Sequence, residues 1–184
     1  MSEVPRGARL TYLLSGMAMG RPNDTLVIVE TGSIRQPGLN WAQSDGHSTL
    51  YLADWARWMR MGGRTIHLHS IDRDISVADK VLRDHGLRHE VSLSKGDAAD
   101  ILLTFPEIHF AYLDTFNDED AILEQFKIVE ERMASGGVVV IDDYDPDPTN
   151  HHKQKVRKAV PYAREKGYPV LLDLPHAIIS IPAK

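Results

Sequence analysis

Four apolar, strand-like runs in this chain end in carboxylates. Glu30 follows Val27-Ile28-Val29, and Asp72 follows Thr65-Ile66-His67-Leu68-His69-Ser70-Ile71. Asp114 follows Phe110-Ala111-Tyr112-Leu113, and Asp142-Asp143 follows Val138-Val139-Val140-Ile141. In an open α/β sheet, ligands bind outside the carboxyl ends of the strands, so these acids face whatever the fold holds. A carboxylate at the tip of the second strand, Asp72, is placed to accept hydrogen bonds from two ribose hydroxyls, which points to an adenosine-containing cofactor. Asp114, Asp142 and Asp143 end the fourth and fifth strands, which are neighbours in such a sheet. Three uncompensated carboxylates in one place repel each other and raise their own pKa values. A hard divalent ion such as Mg²⁺ removes that penalty and takes oxygen ligands. The competing reading is that Asp143 and Asp145 cap turns and Asp114 alone meets ligand.

The glycines narrow the choice of cofactor. A dinucleotide fold needs G-x-G-x-x-G so that its backbone can approach a pyrophosphate at a helix N-terminus. The turn Glu30-Thr31-Gly32-Ser33-Ile34-Arg35 has only Gly32, and Glu30 would repel a pyrophosphate. This disfavours a nicotinamide-dependent oxidoreductase and suits a cationic amino-acid cofactor. At these residues the chain resembles the class I S-adenosylmethionine-dependent methyltransferases, whose first motif is an acidic residue, any residue, then glycine. The form Glu30-Thr31-Gly32-x-x-Arg35 is most similar to the branch containing macrocin-type and related metal-dependent sugar O-methyltransferases. The resemblance covers residues 25–181.

The resemblance implies S-adenosylmethionine as cofactor, held in the first turn by Glu30, Thr31, Gly32, Ser33 and Arg35. Ser48 or Thr49 would cap the next helix and offer a hydroxyl to the cofactor carboxylate. Asp72 would take the ribose, with Arg73 flanking the adenine, and Gly96-Asp97-Ala98 would place an aspartate on the adenine amino group. For that last segment, a turn with an Asx cap is the competing reading. The family also implies that acids at the fourth and fifth strand ends, here Asp114, Asp142 and Asp143, bind a divalent ion, with Asp114 touching the cofactor as well. Such an ion would hold two neighbouring acceptor hydroxyls and lower the pKa of the attacking one. Positioning of that oxygen is most of the task in an in-line displacement. Catechol-type members place a lysine three residues after the strand-end aspartate, and macrocin-type members an acid two residues after it; this chain has Asn117 and Phe116 there. Asp118, His151 and His152 are the substitutes within reach, histidine having a pKa suited to base work.

The elements that must position these residues alternate from residue 25 onward, the pattern of a parallel sheet with helices on both faces. Strands are expected near 25–30, 65–71, 89–94, 109–114, 137–142, 168–173 and 177–181, and helices near 47–61, 75–85, 119–134 and 151–166. Gly86 and Gly136-Gly137 stand where helices should end, and Asp118 where one should begin. The last two strands are too close for a parallel crossover and should form an antiparallel hairpin. The expected fold is α/β, a Rossmann-like doubly wound seven-stranded sheet, mostly parallel with an antiparallel C-terminal hairpin, as the resembled family has. Residues 1–24 form a lead segment, with a helix from Leu10 to Met19 that covers the cofactor or builds a homodimer contact; residues 25–184 form the cofactor-binding domain. Acceptor recognition then rests on loops or a partner subunit. Roughly ten extra residues within 36–46 form a loop, where Trp41 is either a lid or tucked against its own domain. Trp55 and Trp58 are read as packing residues.

Composition limits the partners. The 184 residues suffice for one domain with a substantial core, and 42% are hydrophobic. A net charge of −5 argues against a nucleic-acid surface, and the short basic run Lys153–Lys158 reads as a solvated helix face. Without cysteine there are no disulfides, thiol catalysis or Cys-ligated zinc. Residues Met1 to Arg6 lack the apolar core of a signal peptide, and no run of about 18 apolar residues offers a membrane span. The expectation is a cytoplasmic methyltransferase acting on a small-molecule acceptor, with no nucleic acid or membrane partner. A non-catalytic module that binds the cofactor for regulation or assembly is the alternative.

Overall fold

The structure, a computed structural model, describes residues 6–21, 24–36, 47–147, 150, 155–173 and 175–182, with side chains from Leu10 onward. Trp41, His151 and His152 lie outside the described residues. The strands are β1 (Leu26–Thr31), β2 (Ile66–Asp72), β3 (Ser92–Lys95), β4 (Ile108–Leu113), β5 (Met133–Ile141), β6 (Val170–Asp173) and β7 (His176–Ser180). The helices are α1 (Arg6–Met19), α2 (Ser48–Met61), α3 (Ser76–Asp84), α4 (Ala98–Leu102), α5 (Glu119–Arg132) and α6 (Val156–Glu165). The strands form one sheet in the order β3-β2-β1-β4-β5-β7-β6.

Side chains alternate across a strand, and here both faces find cover. Ile28, Phe110 and Val140 pack with apolar residues of α1, α2 and α3, whereas Val29, Ala111 and Val139 pack with those of α5 and α6. This burial on both sides is why β1 and β4 are continuous apolar runs. Strands β1 to β5 pair in parallel. β7 is antiparallel to both β5 and β6, since residues 174–175 alone separate β6 from β7 and cannot make a crossover. The chain builds outward from β1 to β3, then returns to lay β4 on the other side of β1. The crevice at the carboxyl ends of β1 and β4 is therefore the topological switch point, where such sheets bind ligands.

Several expectations needed correction. Gly136 and Gly137 do not end a helix: α5 runs directly into β5 at Met133, and both glycines lie within the strand. Gly136 has φ +68, and a Cβ on Gly137 would collide with Met133 Sδ at 2.2 Å, so the pair accommodates a shift in β4–β5 register between Ile108 and Phe110. The third strand begins at Ser92 because Arg88–Glu90 form a 3-10 turn that Glu90 ties to Arg60. After β3 comes a short helix, α4. Trp55 is buried and its Nε1 donates to Ser15 Oγ at 3.1 Å, but Trp58 is exposed. Asp118 does begin α5, its carboxylate accepting from the amides of Asp120 and Ala121.

Candidate functional site

The turns at the carboxyl edge are hung on main-chain bonds. Gly96 N donates to Asp72 O (3.0 Å), Gly32 N to Ile71 O (2.9 Å), Asp114 N to Thr31 O (2.8 Å) and Asp142 N to Leu113 O (3.2 Å). Each residue just past a strand end is thus fixed by the neighbouring strand. The β1 and β4 turns pass so closely that a Cβ on Gly32, at φ +88, would lie 2.0 Å from Asp114 O. Only glycine fits, for the close approach of two protein segments.

Beneath this rim Glu30 is fully buried. Its carboxylate accepts hydrogen bonds from Ser48 Oγ (2.5 Å), Thr49 Oγ1 (2.6 Å) and Ser70 Oγ (2.6 Å). Burial pushes its pKa up, against those three bonds, to about 7. Ser48 therefore does not cap α2, whose N-cap position is taken by His47, which does not cap the helix through its side chain; the Ser48 hydroxyl is turned to Glu30 instead. Ser70 was not singled out from sequence, although it stands opposite Glu30 in the β1–β2 register. Thr31 Oγ1 donates to Gln125 Oε1 of α5 at 2.8 Å.

A cavity of about 290 Å³ opens beside these residues, lined by Arg35, Asp72, Arg73, Asp97, Ala98 and Phe116 among others. Asp72 accepts from Ser33 N through Oδ2 (2.9 Å) and from Asp74 N through Oδ1 (3.1 Å). Each carboxylate oxygen keeps lone-pair capacity for a hydroxyl. Arg73 donates to Asp97 Oδ2 at 2.9 Å and stands over the Phe116 ring, 5.4 Å from its centroid. Asp97 also caps α4 through Ala99 N, so the Asx-cap reading describes its place in the fold. Arg35 reaches across the switch point to Asp114 O at 3.1 Å. The buried Ser33 hydroxyl has no hydrogen-bond partner among the described residues. With the cavity and the unsaturated Asp72 carboxylate, it makes these residues fit an adenosine cofactor.

At the other end of the rim, Asp114, Asp142 and Asp143 converge as expected, each offering an oxygen within 4.8 Å of the others. They are not uncompensated. The ammonium of Lys155, just ahead of α6, donates to Asp114 Oδ1 and lies 2.9 Å from Asp143 Oδ2. Burial works against the Lys155 charge, but the two carboxylates outweigh it and hold its pKa above the ordinary value. Burial, with Asp142 beside it, pushes Asp114 well above the usual carboxylate range, and Lys155 pulls the other way. His176 Nε2, on β7, is 3.4 Å from Asp142 Oδ1, and Tyr112 OH is 3.5 Å from the same nitrogen. Lys155 thus corrects the reading of residues 153–158 as a solvated face, which describes Lys158, paired with Asp120. Asp145 does cap a turn, through Asp147 N, while Asp143 joins the ion pair. Of the proposed bases, Asp118 is occupied in capping α5.

The sheet order, with its last strand antiparallel to its neighbours, is the fold of class I S-adenosylmethionine-dependent methyltransferases. The sequence pattern described as "Methyltransferase domain" matches residues 43–144, more than half of the chain, and the protein belongs to that family. Among curated proteins it is similar to the "Probable cobalt-precorrin-6B C(15)-methyltransferase (decarboxylating)" of Methanothermobacter thermautotrophicus. The two are 29% identical over 86 residues, 45% of this chain and 44% of the other; the match spans less than half of either. Among solved structures, the O-methyltransferase TomG from Streptomyces achromogenes, in complex with SAM, superposes with a TM-score of 0.66 at 20% identity. That alignment covers 100% of this chain and 82% of TomG. The MycE methyltransferase of the mycinamycin pathway, in complex with Mg and SAH, superposes with a TM-score of 0.60 at 14% identity, over 94% of this chain and 49% of MycE. At these identities the structures establish the shared fold.

Proposed function

We propose that the protein transfers a methyl group from S-adenosylmethionine to a hydroxyl oxygen of a small acceptor such as a sugar. The observation that carries this reading is the convergence of Asp114, Asp142, Asp143 and Lys155 at the end of the rim that also bears Asp72. When bound, S-adenosylmethionine supplies an electrophilic methyl group on a positively charged sulfur. The chain's own residues bind and orient. Asp72, braced by Ser33 N and Asp74 N, accepts the ribose hydroxyls; Arg73, Asp97 and Phe116 border the adenine; and Glu30 with Ser48, Thr49 and Ser70 supports the first turn. Among the described residues Lys155 contacts two carboxylates, and of its three ammonium protons the third is the one that would hold an acceptor oxygen.

Metal assistance is the finer question. The acidic trio supplies the oxygen donors that Mg²⁺ favours, but with Lys155 placed as it is the trio does not fit a divalent ion. A positive charge already lies between Asp114 and Asp143. A second acceptor class, carbon, is favoured by the similarity to a C(15)-methyltransferase.

The test is calorimetric titration of S-adenosylmethionine in EDTA, followed by assay of methyl transfer to a panel of hydroxylated small molecules. Micromolar binding is expected, and Asp72→Ala should weaken it by about tenfold or more, since losing a charged hydrogen bond costs about 1.5–3 kcal/mol. Products carrying a methyl ether support the oxygen acceptor; a new carbon–methyl bond would move the reading to the precorrin-like class. Binding with no transfer to any acceptor would favour a non-catalytic module. No binding at all would sink the cofactor assignment.

A further inference from the structure

Lys155 stands outside every motif that marks the family resemblance, yet it is the most enclosed cation of the site. Its side chain is 5% exposed, and its two partners lie 41 and 12 positions back along the chain, on the β4 and β5 turns. Burying an ammonium is unfavourable unless charges and hydrogen bonds compensate it. Here two carboxylates do so, and a third, Asp142, lies close by. Asp143 is the one non-glycine among the described residues with positive φ, at +58, a conformation kept where the surroundings over-determine it. Its ion pair with Lys155 is one such constraint. The packing is reciprocal: Val156 and Ala159, in the first turn of α6, are buried in the same core as Leu113 and Ile141, the last residues of β4 and β5. The helix start that carries Lys155 is therefore fixed against the strands that carry the acids.

A divalent ion and an ammonium cannot share such a position. Mg²⁺ needs oxygens at about 2.0–2.1 Å in near-octahedral array, whereas an ammonium takes them at about 2.7–2.9 Å and repels a second cation. We infer that Lys155 is a built-in substitute for the divalent cation, its ammonium pairing with Asp114 and Asp143, offsetting part of the charge of the Asp114–Asp142–Asp143 cluster and excluding a metal ion. The inference deepens the proposed methyl transfer, on which its catalytic meaning rests, but cation binding can be measured without turnover.

The experiment is titration with Mn²⁺, followed by the paramagnetic resonance of the free ion, on wild-type protein, Lys155→Met and Lys155→Gln. Wild type should bind no Mn²⁺ below millimolar concentration. Each variant, freed of the ammonium, should bind at least tenfold more tightly, and its lowered unfolding midpoint should rise on adding Mn²⁺ while that of wild type stays put. Micromolar binding by wild type would overturn the inference, as would variants that fold and still bind no more tightly than wild type. If neither variant folds, the wild-type titration decides alone: silence supports the substitution and micromolar binding refutes it. Calorimetry with S-adenosylmethionine in EDTA on the same samples reports the cofactor reading separately, so either can fail without the other.

Discussion

Glu30 shows how one buried side chain sets a pH dependence. Its pKa lies at about 7 in the fold against 4.5 for the free side chain, because burial outweighs three hydroxyl donors. A raised acid contributes its full stability below the unfolded pKa and loses it as pH climbs through the folded one. The rise corresponds to about 3 kcal/mol. Denaturant unfolding of wild type and Glu30→Gln across pH 4.5 to 8 should therefore show wild type losing about 3 kcal/mol relative to the variant; parallel curves would mean that Glu30 is not so strongly shifted. Glu30 itself was legible, as the acid of a strand-end motif. Ser70 could have been found by pairing β1 with β2 and asking which residue faces Glu30. Lys155 could not, since a lysine in a short basic run reads as solvated, and only the tertiary packing of α6 brings it to Asp114.

At the level of the element, Asp118 separates a cap from a catalyst. It lies close enough to the acidic rim to be named as a base, yet its carboxylate serves the first turn of α5. Asp118→Ala should cost about 1 kcal/mol of stability, the usual loss of a good N-cap, with methyl transfer unchanged at a temperature where the variant is folded. A loss of turnover without a loss of stability would restore it as a catalytic candidate. The helix start was readable because Asp before an apolar-periodic run is a local signal. The end of the same helix was misread. Gly136-Gly137 resembles a C-cap, and what places both glycines inside β5 is the pairing of that strand with β4, with its shift in register, which is not local. α4 was missed for a related reason: five residues are too few to show a helical period.

For the molecule as a whole, the two-sided burial of β1 and β4 predicts where local opening is costliest. Amides at their centres, such as those of Ile28 and Phe110, are fully buried between two helical layers and should exchange with solvent most slowly. Those of the edge strands β3 and β6 should exchange sooner. Fast exchange at Ile28 with slow exchange at Ser92 would contradict this sheet order. The doubly wound class was visible in the alternation of apolar runs, and the last hairpin in the short connection before His176. The neighbourhood of the fourth and fifth strands came with the resemblance, but the position of β1 beside β4 came only from the structure, because strand order leaves no mark on local sequence.

The main-chain bonds along the rim have a consequence for how such a protein changes over time. Gly32, Gly96, Asp114 and Asp142 are tied through their amides, which every residue except proline possesses. The outline of the ledge is therefore indifferent to most side chains placed on it, the exceptions being Gly32, where no Cβ fits, and Gly96, at φ +159 with Ile101 Cδ1 3.0 Å from where a Cβ would lie. Mutational drift can reassign an acid or an amide on this ledge while the frame that holds it persists, and a new acceptor lies few substitutions away.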